Sequence, residues 1–129
     1  MNNEFVSEIA KAKGLGSSRS GSSHWFWQRI SALFLVPIYV WFIISFLYFF
    51  INPEQVVGNI LYNPVCFIAF LLMINVSLFH GVLGVRVVIE DYIHHEFWKN
   101  ALLILSYFLT FISMISISFI LIVNFIANI

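Results

Sequence analysis

The sequence predicts an all-α membrane protein with three transmembrane helices, its N-terminus inside and its C-terminus outside. Three observations carry that prediction. Only 9% of the 129 residues are charged and 61% are hydrophobic, whereas a soluble domain has roughly 25% charged residues. Three runs, at about 30–50, 65–87 and 100–127, each supply the roughly 20 mainly apolar residues that a spanning helix needs. Basic residues gather on one side of these runs. Lipid excludes open sheet edges and three segments cannot close a barrel, which leaves helices.

The chain divides into an N-terminal segment, 1–29, on the cytoplasmic or matrix side and a three-helix transmembrane domain, 30–129. The first 29 residues lack an apolar core, so no cleavable signal peptide is expected. Within them, Phe5 to Lys13 reads either as a short amphipathic helix that docks on a soluble partner or as a disordered tail. Residues 14–23, GLGSSRSGSS, read as a flexible stretch. The first span is uncharged, and Pro37 is placed to kink it. The loop 51–64 carries Glu54 and no Lys or Arg. The second span is uncharged through Val85, with Asn75, Ser77 and His80 as its polar points. The third span has no charge at all.

Lys11, Lys13, Arg19 and Arg29 precede the first span, and Arg86 and Lys99 flank the second loop. The positive-inside rule then puts the N-terminus and the second loop on the inner side. Trp25, Trp27, Tyr92 and Trp98 would form the inner aromatic belt. Zero net charge gives no argument for a nucleic-acid partner, and Cys66 as the sole cysteine excludes an internal disulfide or a cysteine-held cluster. No internal repeat is visible.

The stretch HGVLGVRVVIEDY, His80 to Tyr92, holds the candidate chemistry. An intramembrane histidine is rare and needs a partner, so it marks a functional site by default. On a helix, Asp91 lies about 20° round from His80 and about 16 Å along the axis. With Asp91 at the inner interface, His80 falls near the midplane of a core about 30 Å thick. Gly81 and Gly84 leave room beside the imidazole for a neighbouring helix or a flat macrocycle. His80 is therefore either a haem ligand or a polar residue satisfied by a Ser or Asn of another helix.

Asp91 and Tyr92 have two readings as well. With Glu90 they form a solvated helix end and an interface anchor. Alternatively, the Tyr92 phenol donates to a quinone carbonyl and Asp91 relays protons. Arg29 either snorkels to head groups or pairs with a haem propionate or a polar quinone site. His24 is open to the same two readings. His94, His95 and Glu96 could hold a metal, although adjacent loop histidines are more often plain surface residues.

Gly21-Ser-Ser-His24-Trp25 with Gln28-Arg29, together with His80, Gly84, Arg86 and Ile89-Glu90-Asp91-Tyr92, resembles a known family. It is the small hydrophobic membrane-anchor subunit of succinate dehydrogenase, respiratory complex II, in its alphaproteobacterial and mitochondrial-like branch. The likeness covers nearly the whole chain. It implies pairing with a second three-span protein, the cytochrome b subunit, with one haem b held between them. His80 would be this chain's axial ligand to the haem iron. Tyr92 would match the ubiquinone-site tyrosine and Asp91 the acidic residue beside it. FAD and iron–sulfur clusters would reside in a flavoprotein subunit and an iron–sulfur subunit docked on the inner face. This chain alone would catalyse nothing, since it has no site for either. The resemblance implies a multi-pass protein of the bacterial inner membrane, with the mitochondrial inner membrane the less favoured location.

The cytochrome b subunit also carries a histidine with an acidic residue eleven positions on. Its arginine–histidine pair and its Ser-Pro-His segment are absent here, which favours the hydrophobic anchor. Two alternatives stand beside this reading. One is a cofactor-free helical membrane protein, such as a transporter component or assembly factor. The other is the anchor of a fumarate reductase.

Overall fold

The computed structural model describes residues 21–127, and every element in that range is a helix. α1 runs Gly21–Phe49, α2 Pro53–Tyr62, α3 Pro64–Tyr92 and α4 Glu96–Ala127. Three of them, α1, α3 and α4, are long and apolar enough to cross a membrane. At 1.5 Å per residue the 29 residues of α3 extend about 43 Å. That length passes the hydrocarbon core and reaches the head groups on both sides.

The local signals at the helix ends are specific. Asn63 closes α2 by donating its N–H to the Asn59 carbonyl at 3.1 Å. Its side-chain oxygen then accepts from the N–H groups of Val65 (3.0 Å) and Cys66 (3.4 Å), capping α3. Pro64 follows at the first helical position, where its missing N–H costs nothing. α3 ends where Ile93 turns extended after donating to the Ile89 carbonyl at 3.0 Å. α1 runs on through Pro37 without a break, although the ring removes one N–H from its ladder.

Two elements differ from expectation. The connection 51–64 contains the helix α2, which covers the ends of α1 and α3 and buries Val56. Pro53 at its first position and Glu54 in its first turn are ordinary helix-start signals. Residues 21–23, expected to be flexible, form the first turn of α1. Helices draw most of their stability from tertiary packing, and α1 gains it from the stripe that faces α3. The segment 5–13 and residues 14–20 lie outside the described residues.

α3 is the middle of a flat layer. It runs antiparallel to α1 on one side and to α4 on the other, and among the described residues α1 and α4 do not touch. The α3–α4 seam is held by a stack of Phe67 on Phe125, with centroids 4.1 Å apart, and by Asn75 with Ser118. Such a layer has little interior. The buried apolar residues are Leu35, Val56, Phe67, Met73, Val82 and Leu83, and α4 buries none. Its broad apolar faces need lipid or another protein chain. The end of the layer at the start of α1 carries Arg29, Arg86, Glu90, Asp91, Glu96 and Lys99, whereas the opposite end carries Glu54 alone among the described residues.

Candidate functional site

The polar side chains of the first and second spanning helices meet along the α1–α3 seam. On α1, His24, Gln28, Ser31 and Leu35 fall within about 60° of one another, at 100° per residue. This stripe faces α3. The Ser31 hydroxyl lies 2.9 Å from His80 Nδ1. It also lies 3.1 Å from the Gln28 carbonyl, to which it donates. Ser31 is 4% exposed, the one buried polar residue among the described residues. Further along, Tyr39 and Ser77 share a hydrogen bond of 2.8 Å. Trp27 and Phe79 meet edge to face at 6.5 Å beside the histidine.

Gly81 and Gly84 have separate roles. A Cβ at Gly84 would stand 3.7 Å from Gln28 Nε2, so Gly84 receives the neighbouring helix. A Cβ at Gly81 would meet nothing within 4 Å, so Gly81 opens onto free space. The imidazole divides in the same way. Nδ1 is bonded inward to Ser31, while Nε2 has no partner among the described residues and is not buried. His80 therefore presents one nitrogen at the outer surface of its own chain.

The same seam leaves other polar groups unused. His24 Nε2 and Gln28 Oε1 are buried and have no hydrogen-bond partners among the described residues. A buried polar atom left unpaired costs roughly 1–3 kcal/mol. Their stripe is thus richer in polar capacity than the described residues satisfy.

At the inner end of α3, Arg86 and Glu90 form an i,i+4 ion pair at 2.7 Å. Asp91 is exposed and has no side-chain partner among the described residues. It sits at the negative end of the α3 dipole, where an unpaired carboxylate is disfavoured by roughly 0.3–1 kcal/mol. The local rule is broken there without local compensation. Tyr92 is 77% exposed, 100° round from Asp91, at the last position of the helix. Arg29 lies 5.1 Å above the Trp25 ring in a cation–π contact. Arg29 is turned away from the Ser31 stripe and exposed, so this chain alone does not bring it to His80. His94 and His95 are exposed on the connection 93–95, and no three His, Cys, Asp or Glu side chains gather there or elsewhere among the described residues.

Ser31 was the site residue that sequence reasoning missed. Its signal was present: it is the first polar side chain inside the first span, three residues beyond Gln28 and seven beyond His24.

Fold and site together define a class. This is an integral membrane subunit built as an incomplete layer, with one imidazole nitrogen and one helix end turned outward for something else to complete. Residues 6–123 match the family model of the succinate dehydrogenase/fumarate reductase transmembrane subunit. The chain belongs to that family. It is 40% identical over 107 residues to the succinate dehydrogenase hydrophobic membrane anchor subunit of Rickettsia conorii, covering 79% of this chain and 82% of that one. It is 42% identical over 108 residues to the protein of the same name from Rickettsia bellii, covering 81% of this chain and 83% of that one. No solved structure matches the chain.

Proposed function

We propose that this chain is the hydrophobic membrane anchor of a succinate:ubiquinone oxidoreductase. In this reading it co-binds one haem b and forms part of the ubiquinone-reduction site. The observation that carries the reading is the outward-facing Nε2 of His80, at midspan of α3, with Gly81 next in sequence leaving open space on the helix. A lone pair left unused among the described residues, in a family of respiratory transmembrane subunits, fits a haem ligand at the boundary between two chains. When bound, the haem supplies one-electron storage at membrane depth.

The chain's own residues supply the rest. His80 would hold the haem iron through Nε2, and the cytochrome b subunit would supply another ligand. Tyr92, at the inner end of α3, donates a hydrogen bond to a quinone carbonyl. Quinone reduction consumes two electrons and two protons, and Asp91, exposed beside it, receives protons from water. Arg29, exposed at the same end of the layer, meets a haem propionate or the quinone site once the partner proteins are in place.

The charge asymmetry supports an inner N-terminus and an outer C-terminus. The family and its Rickettsia members support docking of the iron–sulfur and flavoprotein subunits, here placed on the inner face, and residence in a bacterial inner membrane. FAD and the iron–sulfur clusters belong to those partners.

One observation favours the cofactor-free alternative: His80 does have a serine of another helix as its partner. That alternative accounts for Nδ1 and leaves Nε2 without a role. A fumarate reductase anchor would use the same residues, and donor chemistry separates the two. The test is His80→Ala in the assembled complex. The proposal expects complete loss of the low-spin haem b spectrum, whereas retention of that spectrum would overturn it.

A further inference from the structure

We propose that Ser31 is a positioning residue for the His80 imidazole. It holds the proton on Nδ1, keeps the Nε2 lone pair free for iron, and sets the electron-donating strength of that nitrogen. The inference rests on the reading of His80 as a haem ligand.

The tautomer follows from a count of hydrogens. A serine hydroxyl has one hydrogen and two lone pairs. The Gln28 carbonyl accepts only, and it lies 3.1 Å from Ser31 Oγ in donor geometry. With the hydroxyl hydrogen directed there, the contact of 2.9 Å to His80 Nδ1 is a bond only when Nδ1 is the donor. A neutral imidazole protonated on Nδ1 is unprotonated on Nε2. The reverse arrangement would put the ring proton on Nε2 and take the hydroxyl away from the Gln28 carbonyl.

Burial favours this choice. Ser31 is 4% exposed, so no bulk water competes for its hydroxyl or compensates a lost bond. The result is a directed chain from His80 Nδ1–H to Ser31 Oγ–H to the Gln28 carbonyl, in which each bond polarises the next. Metal-bound histidines almost always donate their second N–H in this way, and the acceptor raises ligand basicity. Because Ser31 sits on α1 and His80 on α3, the bond also fixes the ring's rotation against the helix that packs on it.

The experiment compares Ser31→Ala, Ser31→Cys, Ser31→Thr and His80→Ala in the purified complex by redox titration of the haem and by the rate of haem loss to an excess of a haem-scavenging apoprotein. Without an oxygen acceptor, Nε2 is less electron-rich and stabilises ferric iron less. Ser31→Ala therefore moves the haem potential to more positive values and speeds haem loss about tenfold, the lower end of the usual effect of removing such a partner. Ser31→Cys, close in volume and a weak acceptor, moves both in the same direction, and it carries the test should the alanine variant not assemble. Ser31→Thr keeps the hydroxyl and restores both. Unchanged potential and haem retention in the alanine and cysteine variants, alongside haem loss in His80→Ala, would overturn this inference and leave the proposed function standing. Low-spin haem b persisting in His80→Ala would overturn both.

Discussion

α3 meets α4 on one side and α1 on the other, and the two seams handle polar groups differently. Against α4, Asn75 and Ser118 satisfy each other: the amide donates at 3.0 Å and the hydroxyl returns a bond at 3.2 Å. Nearby, Phe67 and Phe125 stack within 20° of parallel. That seam is closed within the chain. Against α1, polar capacity is left over. Among the described residues His80 uses one nitrogen of two, and His24 Nε2 and Gln28 Oε1 find no partner. In hydrocarbon, where unpaired groups are expensive, a closed seam reads as structure and an open one as a site.

That contrast can be broken most forcefully at its two glycines. Gly81→Leu adds bulk next to His80 in sequence, at a position where an added Cβ meets nothing within 4 Å. It should leave this chain folded yet reduce haem content of the purified complex by tenfold or more. Gly84→Ala adds a Cβ at ordinary contact distance, 3.7 Å, from Gln28 and should change haem content little. Equal effects from the two, measured by haem-to-flavin ratio, would erase the distinction between the glycines.

Tyr92→Phe comes next in size. Loss of one hydrogen bond to the quinone is about 1.4 kcal/mol, or a tenfold slower succinate–quinone reduction. Succinate oxidation by an artificial soluble acceptor should hold at the wild-type rate. Equal loss of both activities would make Tyr92 an assembly residue. The smallest effect belongs to the closed seam. Asn75→Leu removes the reciprocal pair with Ser118, and interhelical bonds in membranes average about 0.6 kcal/mol each. A loss of about 1 kcal/mol in detergent unfolding is expected, with haem potential unchanged. A shifted potential would show that both seams feed the cofactor.

Much of this was legible in the sequence because it is local. Three apolar runs specify three spanning helices, and the spacing of His80 and Asp91 follows from helical period alone. α2 escaped because a ten-residue helix in a connection gives only short-range signals, although Pro53 and Glu54 supplied two of them. The start of α1 escaped because Gly-Ser composition reads as flexible, and packing against α3 overrides it. Ser31 escaped for a deeper reason. Its role exists only once α1 and α3 are in register, and no periodicity within one helix states which residue of another it will meet. The separate roles of Gly81 and Gly84 depend on the same non-local fact, namely the side of α3 on which α1 lies.

The most direct measurement is a dithionite-reduced minus oxidised difference spectrum of the complex purified through this chain in mild detergent. The account predicts a b-type haem that co-purifies with a flavoprotein and an iron–sulfur protein. An intact complex without haem would contradict the role given to His80 and to the open seam.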